Sequence, residues 1–264
     1  MEVHYYGWSG VALQHGDTVV GFDLFGEEVT WDVLPDAATT ILCVTHGHPE
    51  HCGSLRQFLS APTARLAQTH VVSSAEVTTY VTQGVPIPAH NVHPIAHRRT
   101  VAVGETQVTA FAWKHLPLLP PGVGPKIDYA LHLLRRPVEL VRIGTAGLRL
   151  PMGAPMVGFH VRFADGTTVL NYAEGLHRVT NPGEVQAVAQ HLPAETLLFA
   201  VEPEDAEAIP RWIEVLSPAT VMLYEAHRPW RQLFQLPYVD LTDYAGTLST
   251  RFQEIRFVPL LETS

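Results

Sequence analysis

The sequence predicts an α/β fold in which two β-sheets are flanked by helices, and three observations carry that prediction. The first 25 residues read as an antiparallel meander. The run "ATTILCVTH" is apolar almost throughout and rich in β-branched residues, as in a strand buried on both faces. The stretch "MVGFHVRFADGTTVLNYAEG" reads as two strands joined at an Asp-Gly turn, the strongest hairpin signal in the chain.

In chain order, "VHYYG", "GVALQ" and "TVVGFDLF" are strand-like, with a tight turn at His15–Asp17. After "ATTILCVTH", the segment "CGSLRQFLSA" reads as a short helix, "THVVSS" as a strand and "AEVTTYVTQG" as a helix. "TVAVG" and "TQVTAFAWKH" read as a hairpin. Residues 116–155 break the rhythm: "LPLLPPGVGP" is a Pro/Gly-rich connector, and Ile127, Ala130, Leu131 and Leu134 have helical spacing. This segment reads as an insertion, expected to cover a functional site as a lid. Beyond the Asp-Gly hairpin, "NPGEVQAVAQHL" is a helix with Asn181 as N-cap and Pro182 at its first position. Strand "TLLFAVE", helix "DAEAIPRWIEVLS" with a proline placed to kink it, strand "ATVMLYEAH" and a final helix and strand complete the reading. No internal repeat or low-complexity linker is visible, so residues 1–264 are read as one domain.

Composition fits a packed globule: 46% of residues are hydrophobic and 16% charged. No run of about 18 apolar residues is present, so no membrane span is expected. The N-terminus lacks a basic stretch followed by an apolar one, and the two cysteines, Cys43 and Cys52, make no disulfide framework. A cytoplasmic location is the expectation. The net charge of −9 argues against a nucleic-acid partner, which needs a basic surface to displace counterions. It leaves room for a small substrate, anionic ones included. Histidine is the conspicuous residue, with 15 copies against 17 Lys plus Arg.

Four candidate ligands crowd into "VTHGHPEHCG", Val44–Gly53. His46 and His48 are two apart at a strand end and point the same way in extended geometry. Glu50 and His51 lie past Pro49, where the chain turns toward a helix. One loop can thus present two ligand pairs, an economical way to seat two cations about 3.5–4 Å apart. The alternative, a solvated histidine loop, fits poorly with a cluster that ends a buried strand.

The pattern His46-Gly-His48-Pro-Glu50-His51 resembles the H-x-H-x-D-H fingerprint of the metallo-β-lactamase-fold superfamily. Asp23, His115, Glu174 and His227, each ending a strand-like run, match that family's outlying positions in order. The resemblance implies a four-layer αββα sandwich carrying two divalent transition-metal ions, Zn²⁺, Mn²⁺ or Fe²⁺. It gives His46, His48 and His115 to the first metal, and Glu50, His51 and His227 to the second. Glu174 stands between the two, Asp23 supports the histidine loop from behind, and Glu50 is also the catalytic carboxylate. The implied activity is hydrolysis of a small-molecule ester, lactone or phosphoester by a metal-bridging hydroxide. Both acidic ligands are glutamate where the family has aspartate. That departure keeps a non-catalytic metal-bound domain as the alternative, with a nuclease or phosphodiesterase disfavoured by the acidic charge. The opening "YYGWSGVALQHGDTVVGFD" resembles the subgroup that includes ascorbate-6-phosphate lactonase, although Gly7-Trp8-Ser9 stands where that subgroup has Gly-His-Ser.

The remaining histidines and cations have plainer readings. His90, His93 and His97 fall in a proline-bearing loop expected to be solvated, and His160 and His177 read as strand and surface residues. Cys43 and Cys52 read as packing residues. Lys114, Arg178, Arg228 and Arg231 adjoin the candidate ligands, and ordinary surface charge is the expectation for each.

Overall fold

A computed structural model describes residues 1–26, 29–115 and 130–261. Six strands form the first sheet in chain order: β1 (Glu2–Tyr5), β2 (Val11–His15), β3 (Thr18–Phe22), β4 (Thr39–Cys43), β5 (Thr69–Ser73) and β6 (Val92–Pro94). The meander β1–β2–β3 is antiparallel, and β3 through β6 run parallel. The second sheet contains β7 (Thr100–Val103), β8 (Thr106–Ala112), β9 (Val157–Arg162), β10 (Thr168–Ala173), β11 (Thr196–Ala200), β12 (Thr220–Tyr224) and β13 (Arg256–Pro259), again in chain order. It repeats the plan: β7 to β10 are antiparallel neighbours, and β10 to β13 are parallel. This likeness between the halves is topological and leaves no trace in the sequence.

Alternation along the strands explains the layering. In β4, Ile41 and Cys43 face the core shared with the second sheet, while Leu42 faces the opposite way. In β11, Leu198 and Ala200 join that shared core, and Leu197 and Phe199 face away from it. The outward face of the first sheet packs on α2 (Leu55–Ser60) and α3 (Ala75–Thr82) through Leu55, Phe58, Leu59, Val77 and Val81. The outward face of the second packs on α5 (Pro182–His191), α6 (Ile209–Leu216) and α8 (Leu241–Arg251), with Trp212 fully buried among them. Two further helices, α1 (Pro49–Cys52) and α7 (Arg228–Leu233), follow β4 and β12: α1 carries Glu50 and His51, and His227 is the N-cap of α7. Helix–sheet–sheet–helix is the four-layer αββα sandwich.

Several local readings are corrected. "CGSLRQFLSA" forms two short helices, α1 and α2, broken at Gly53, because Gly53 N–H donates to Pro49 and closes the first turn. Pro210 lies in the first turn of α6, where its missing N–H costs nothing, so it starts that helix and kinks nothing. The 92–94 stretch is an edge strand, β6, and its His93 Nε2 lies 2.9 Å from His70 Nδ1 on β5. The Asn181 N-cap is present, accepting from Gly183 N at 2.8 Å. Residues 116–129 of the expected lid lie outside the described residues. The rest of that segment holds a helix over 130–134 and α4 (Pro137–Gly147). Among the described residues, no helix is long and apolar enough to cross a membrane.

Gly158 on β9 pairs with Phe111 on β8, and a Cβ there would sit 2.2 Å from the Phe111 ring. Phe111 is fully buried and has nowhere to move. Gly158→Ala should therefore lower unfolding free energy by about 1–3 kcal/mol, as overpacked cores do, read from the urea midpoint at constant m.

Candidate metal centre

All the candidate ligands leave strands at one edge of the sandwich. β8, β10, β11 and β12 point the same way in the second sheet, because β8 and β10 are both antiparallel to β9. Their C-terminal ends deliver His115, Glu174, Glu202 and His227. β3 and β4 are parallel in the first sheet and deliver Asp23 and the 46–51 loop. Within that loop His48 is the extended residue before α1, and Pro49 opens the helix that brings His51 back under His46. The two rings lie 3.9 Å apart, centre to centre. Gly47 is required between the two histidines, since a Cβ would fall 2.1 Å from the Pro151 carbonyl oxygen. That contact seats the residues after α4 on the ligand loop.

Thr45 fixes the chemistry of His46. Its amide donates to Asp23 Oδ1 and its hydroxyl to Asp23 Oδ2, both at 2.7 Å. With its only proton spent, the hydroxyl can only accept at 2.9 Å from His46 Nδ1–H. His46 Nε2 therefore carries a lone pair. It is fully buried without a hydrogen-bond partner, its nearest ion-pair oxygen being Glu174 Oε2 at 3.9 Å. Burial and the neighbouring His51 keep this imidazole neutral by lowering its pKa. A buried, unpartnered, neutral nitrogen is costly on its own terms and is what a cation needs.

Glu174 is the hub. Its Oε1 lies 3.1 Å from His51 Nε2 and accepts from Ser9 Oγ at 3.3 Å, while Oε2 lies 3.1 Å from His115 Nε2. Burial opposes its ionisation, but His51 and His227 outweigh that and hold the carboxyl well below its usual range. The reciprocal effect appears on His51. Burial works against its charge, yet Glu174 and Asp23, the latter 3.0 Å from Nδ1, push its pKa up to about 10. His227 is raised likewise, against burial, by Glu202 and Glu174.

Three sets of side chains each bring their ligand atoms within 4.8 Å of one another: His46, His48 and His115; His46, His51 and Glu174; and His115, Glu174 and His227. The first is the set expected for the first metal. Glu174 belongs to the other two. Glu50 falls in none of them, but its Oε1 is 3.7 Å from both His48 Nδ1 and His227 Nε2. Asp23 is fully buried behind the loop as expected.

Sequence reasoning missed Ser9 and Thr45 as partners of ligands, and it missed Glu202, whose Oε1 is 2.6 Å from His227 Nδ1. A signal for Glu202 existed: it ends a buried strand at the same edge as the ligands. Arg231 is corrected from surface charge to a buried partner of Glu202 and Glu204. Arg178 pairs with buried Asp205, whereas Lys114 is exposed. His160 Nε2 and His177 Nε2 donate to the backbone carbonyls of Pro193 and Lys114, and neither belongs to a ligand group. Cys52 packs beneath His48, and burial pushes its thiol up to about 12, so it offers no thiolate.

Protons would compete with any cation for these ligand atoms. The pKa of His51 lies above its ordinary value, so the metal-free protein holds that proton at every pH below about 10. A ligand nitrogen must lose it, and apparent affinity for Zn²⁺ should rise by up to about tenfold per pH unit and per proton displaced between pH 6 and 9. Calorimetry in buffers of different ionisation enthalpy should show net proton release; affinity independent of pH would contradict the protonated cluster.

The sequence matches no protein-family profile and no curated protein. Solved structures do match over nearly the whole chain. Igni18, a metallo hydrolase from the archaeon Ignicoccus hospitalis, superposes with a TM-score of 0.64 at 13% identity, over 99% of this chain and 98% of that one. YhfI, a metallo-β-lactamase fold protein from Bacillus subtilis, gives 0.57 at 11% identity, over 98% and 90%. CmlA, a diiron β-hydroxylase from Streptomyces venezuelae, gives 0.59 at 14% identity, over 98% of this chain but 52% of that one. At such identities the likeness is one of architecture, and together with the two mixed sheets and their shared core it shows that this chain has the metallo-β-lactamase fold.

Proposed function

We propose that the chain is a metal-dependent hydrolase of a small-molecule ester, lactone or phosphoester, with two divalent cations held at the sandwich edge. One observation carries this reading: the buried His46 Nε2 lone pair faces a carboxylate, Glu174, that two separate ligand groups share. In it, His46, His48 and His115 hold one cation, and His51, His227 and Glu50 the other, with Glu174 common to both. Bound there, divalent cations supply Lewis acidity to a substrate oxygen and make water acidic enough to attack near neutral pH.

The chain's own residues supply the rest. Asp23 and Thr45 lock the orientation of His46 and His51. Ser9 steadies Glu174 Oε1, so the shared carboxylate keeps its other oxygen toward His115. Glu50 is half-buried between His48 and His227, where its carboxylate can bind a cation or accept a proton from water. A cleft of about 190 Å³ lies against His115, between Trp113, His177, Thr180 and Asn181, with Lys114 at its rim. That volume is below the span of drug-sized pockets and suits a small substrate group; Lys114 pairs with Glu184, which also lines the cleft, so the rim carries both signs of charge. Pro151, beyond α4, packs on Gly47 of the ligand loop, which supports the lid reading for this part of the segment. CmlA's diiron chemistry makes iron worth including beside zinc and manganese. Glutamate in place of both family aspartates favours one other reading, a metal-bound domain without turnover.

The two readings separate in one comparison of wild type, Glu174→Ala and Glu174→Asp, loaded with Zn²⁺, Mn²⁺ or Fe²⁺ and assayed on ester, lactone and phosphodiester substrates. Wild type should hold about two ions per chain and turn over at least one class. Glu174→Ala should lose one ion and fall by more than the roughly 10–100-fold typical of losing an outer partner. Glu174→Asp should keep both ions. Full loading with no turnover on any class would favour the non-catalytic reading; full loading of the alanine variant would remove Glu174 from the shared position.

A further inference from the structure

Behind His227 lies a buried charge network that supplies no ligand atom. Glu202 leaves the end of β11 and is 9% exposed; Arg231 on α7, one helical turn beyond His227, is 8% exposed. Glu202 Oε1 lies 2.6 Å from His227 Nδ1. Its Oε2 accepts from Arg231 Nε at 2.9 Å and Nη2 at 2.5 Å. Arg231 then reaches Glu204 Oε2 at 2.7 Å and the Pro237 carbonyl at 2.8 Å. Every guanidinium nitrogen is used.

Burying the Glu202 carboxylate and the Arg231 guanidinium costs several kcal/mol per ion before pairing, so a network spent only on packing is a poor bargain. Its geometry points elsewhere. The Nδ1 proton of His227 is committed to Glu202, which leaves Nε2 as the nitrogen turned toward Glu50, 3.7 Å away. Asp23 stands in the same relation to His51, on Nδ1, with Nε2 turned toward Glu174. The two histidines that the proposed function assigns to the second cation are thus each backed by a carboxylate, whereas His46 is backed by a neutral hydroxyl. Carboxylate backing fixes the tautomer and raises the basicity of the imidazole that faces a metal.

We propose that Glu202, anchored by Arg231, is a positioning residue for His227 and selectively sets the affinity of the cation group that His227 completes. This rests on the metal-binding reading above. It makes the two cation positions unequal by construction: the one involving His51 and His227 is the more strongly charge-compensated from outside.

Co²⁺ titration of metal-free wild type, Glu202→Gln and Glu204→Gln, followed by d–d absorption against a competing chelator, tests it. Gln keeps the size of Glu202 and can still accept from His227, but it removes the charge; Glu204→Gln touches only Arg231 and serves as control. Glu202→Gln should weaken one of the two binding steps by about 10–100-fold, leave the other alone and alter the absorption of the weakened site. Glu204→Gln should change neither step. Equal loss in both steps, or a lower melting temperature with both steps intact, would assign the network to packing and overturn the proposal. Should Glu202→Gln fail to fold, Glu202→Asp, which keeps the pair with Arg231 but withdraws from Nδ1, must show the same one-step weakening. Wild type that binds no Co²⁺ would instead count against the metal-binding reading itself.

Discussion

A single carboxylate, that of Glu174, holds the functional edge together. Buried in the protein interior, it lies within ion-pair distance of His51 from the first sheet and His115 from the second. An isolated carboxylate there would cost several kcal/mol, and the imidazoles around it would be as poorly placed without it. Each needs the other. The consequence is that the edge is assembled across the sheet–sheet junction, and the shared apolar core below it, from Phe22 and Ile41 to Phe159 and Tyr224, sets how well the two halves of the site register.

The backbone is strained where this edge is built. Asp23, Ala173 and Trp8 all adopt positive φ, at +46°, +47° and +50°, although none is glycine. Asp23 is the residue that holds Thr45, Ala173 precedes Glu174, and Trp8 precedes Ser9. Such conformations persist only where the surroundings over-determine them, and they gather at sites whose side chains must be aimed. Beside Ala173 the register between β10 and β11 slips, with Asn171 Oδ1 accepting from Ala173 N at 2.9 Å, and this irregularity turns Glu174 out of the strand and into the cluster.

Much of this was legible in the sequence, for identifiable reasons. Strands buried on both faces, such as "TTILC", and the Asp-Gly hairpin announce themselves because burial and turn chemistry are local. The candidate ligands from His46 to His51 stood out because they are close in sequence, and Asp23, His115, Glu174 and His227 through the family resemblance, each at the end of a strand-like run. What escaped was set by tertiary contact. Glu202 and Arg231 look like ordinary charges until α7 folds against β11 and buries both. Ser9 meets Glu174 only when the two sheets close, 165 residues apart in sequence. The short edge strand β6 has too little apolar pattern to stand out, and the split of α1 from α2 depends on one capping bond at Gly53.

The central claim is that Glu174 is shared by two cations. Anomalous diffraction from crystals of the protein loaded with Zn²⁺, Mn²⁺ or Fe²⁺, collected on both sides of the metal edge, tests it directly. The account predicts two peaks about 3.5–4 Å apart with Glu174 between them, one beside His46, His48 and His115 and the other beside His51 and His227. A single peak remote from Glu174, or fully loaded sites that leave its carboxylate uncoordinated, would contradict it.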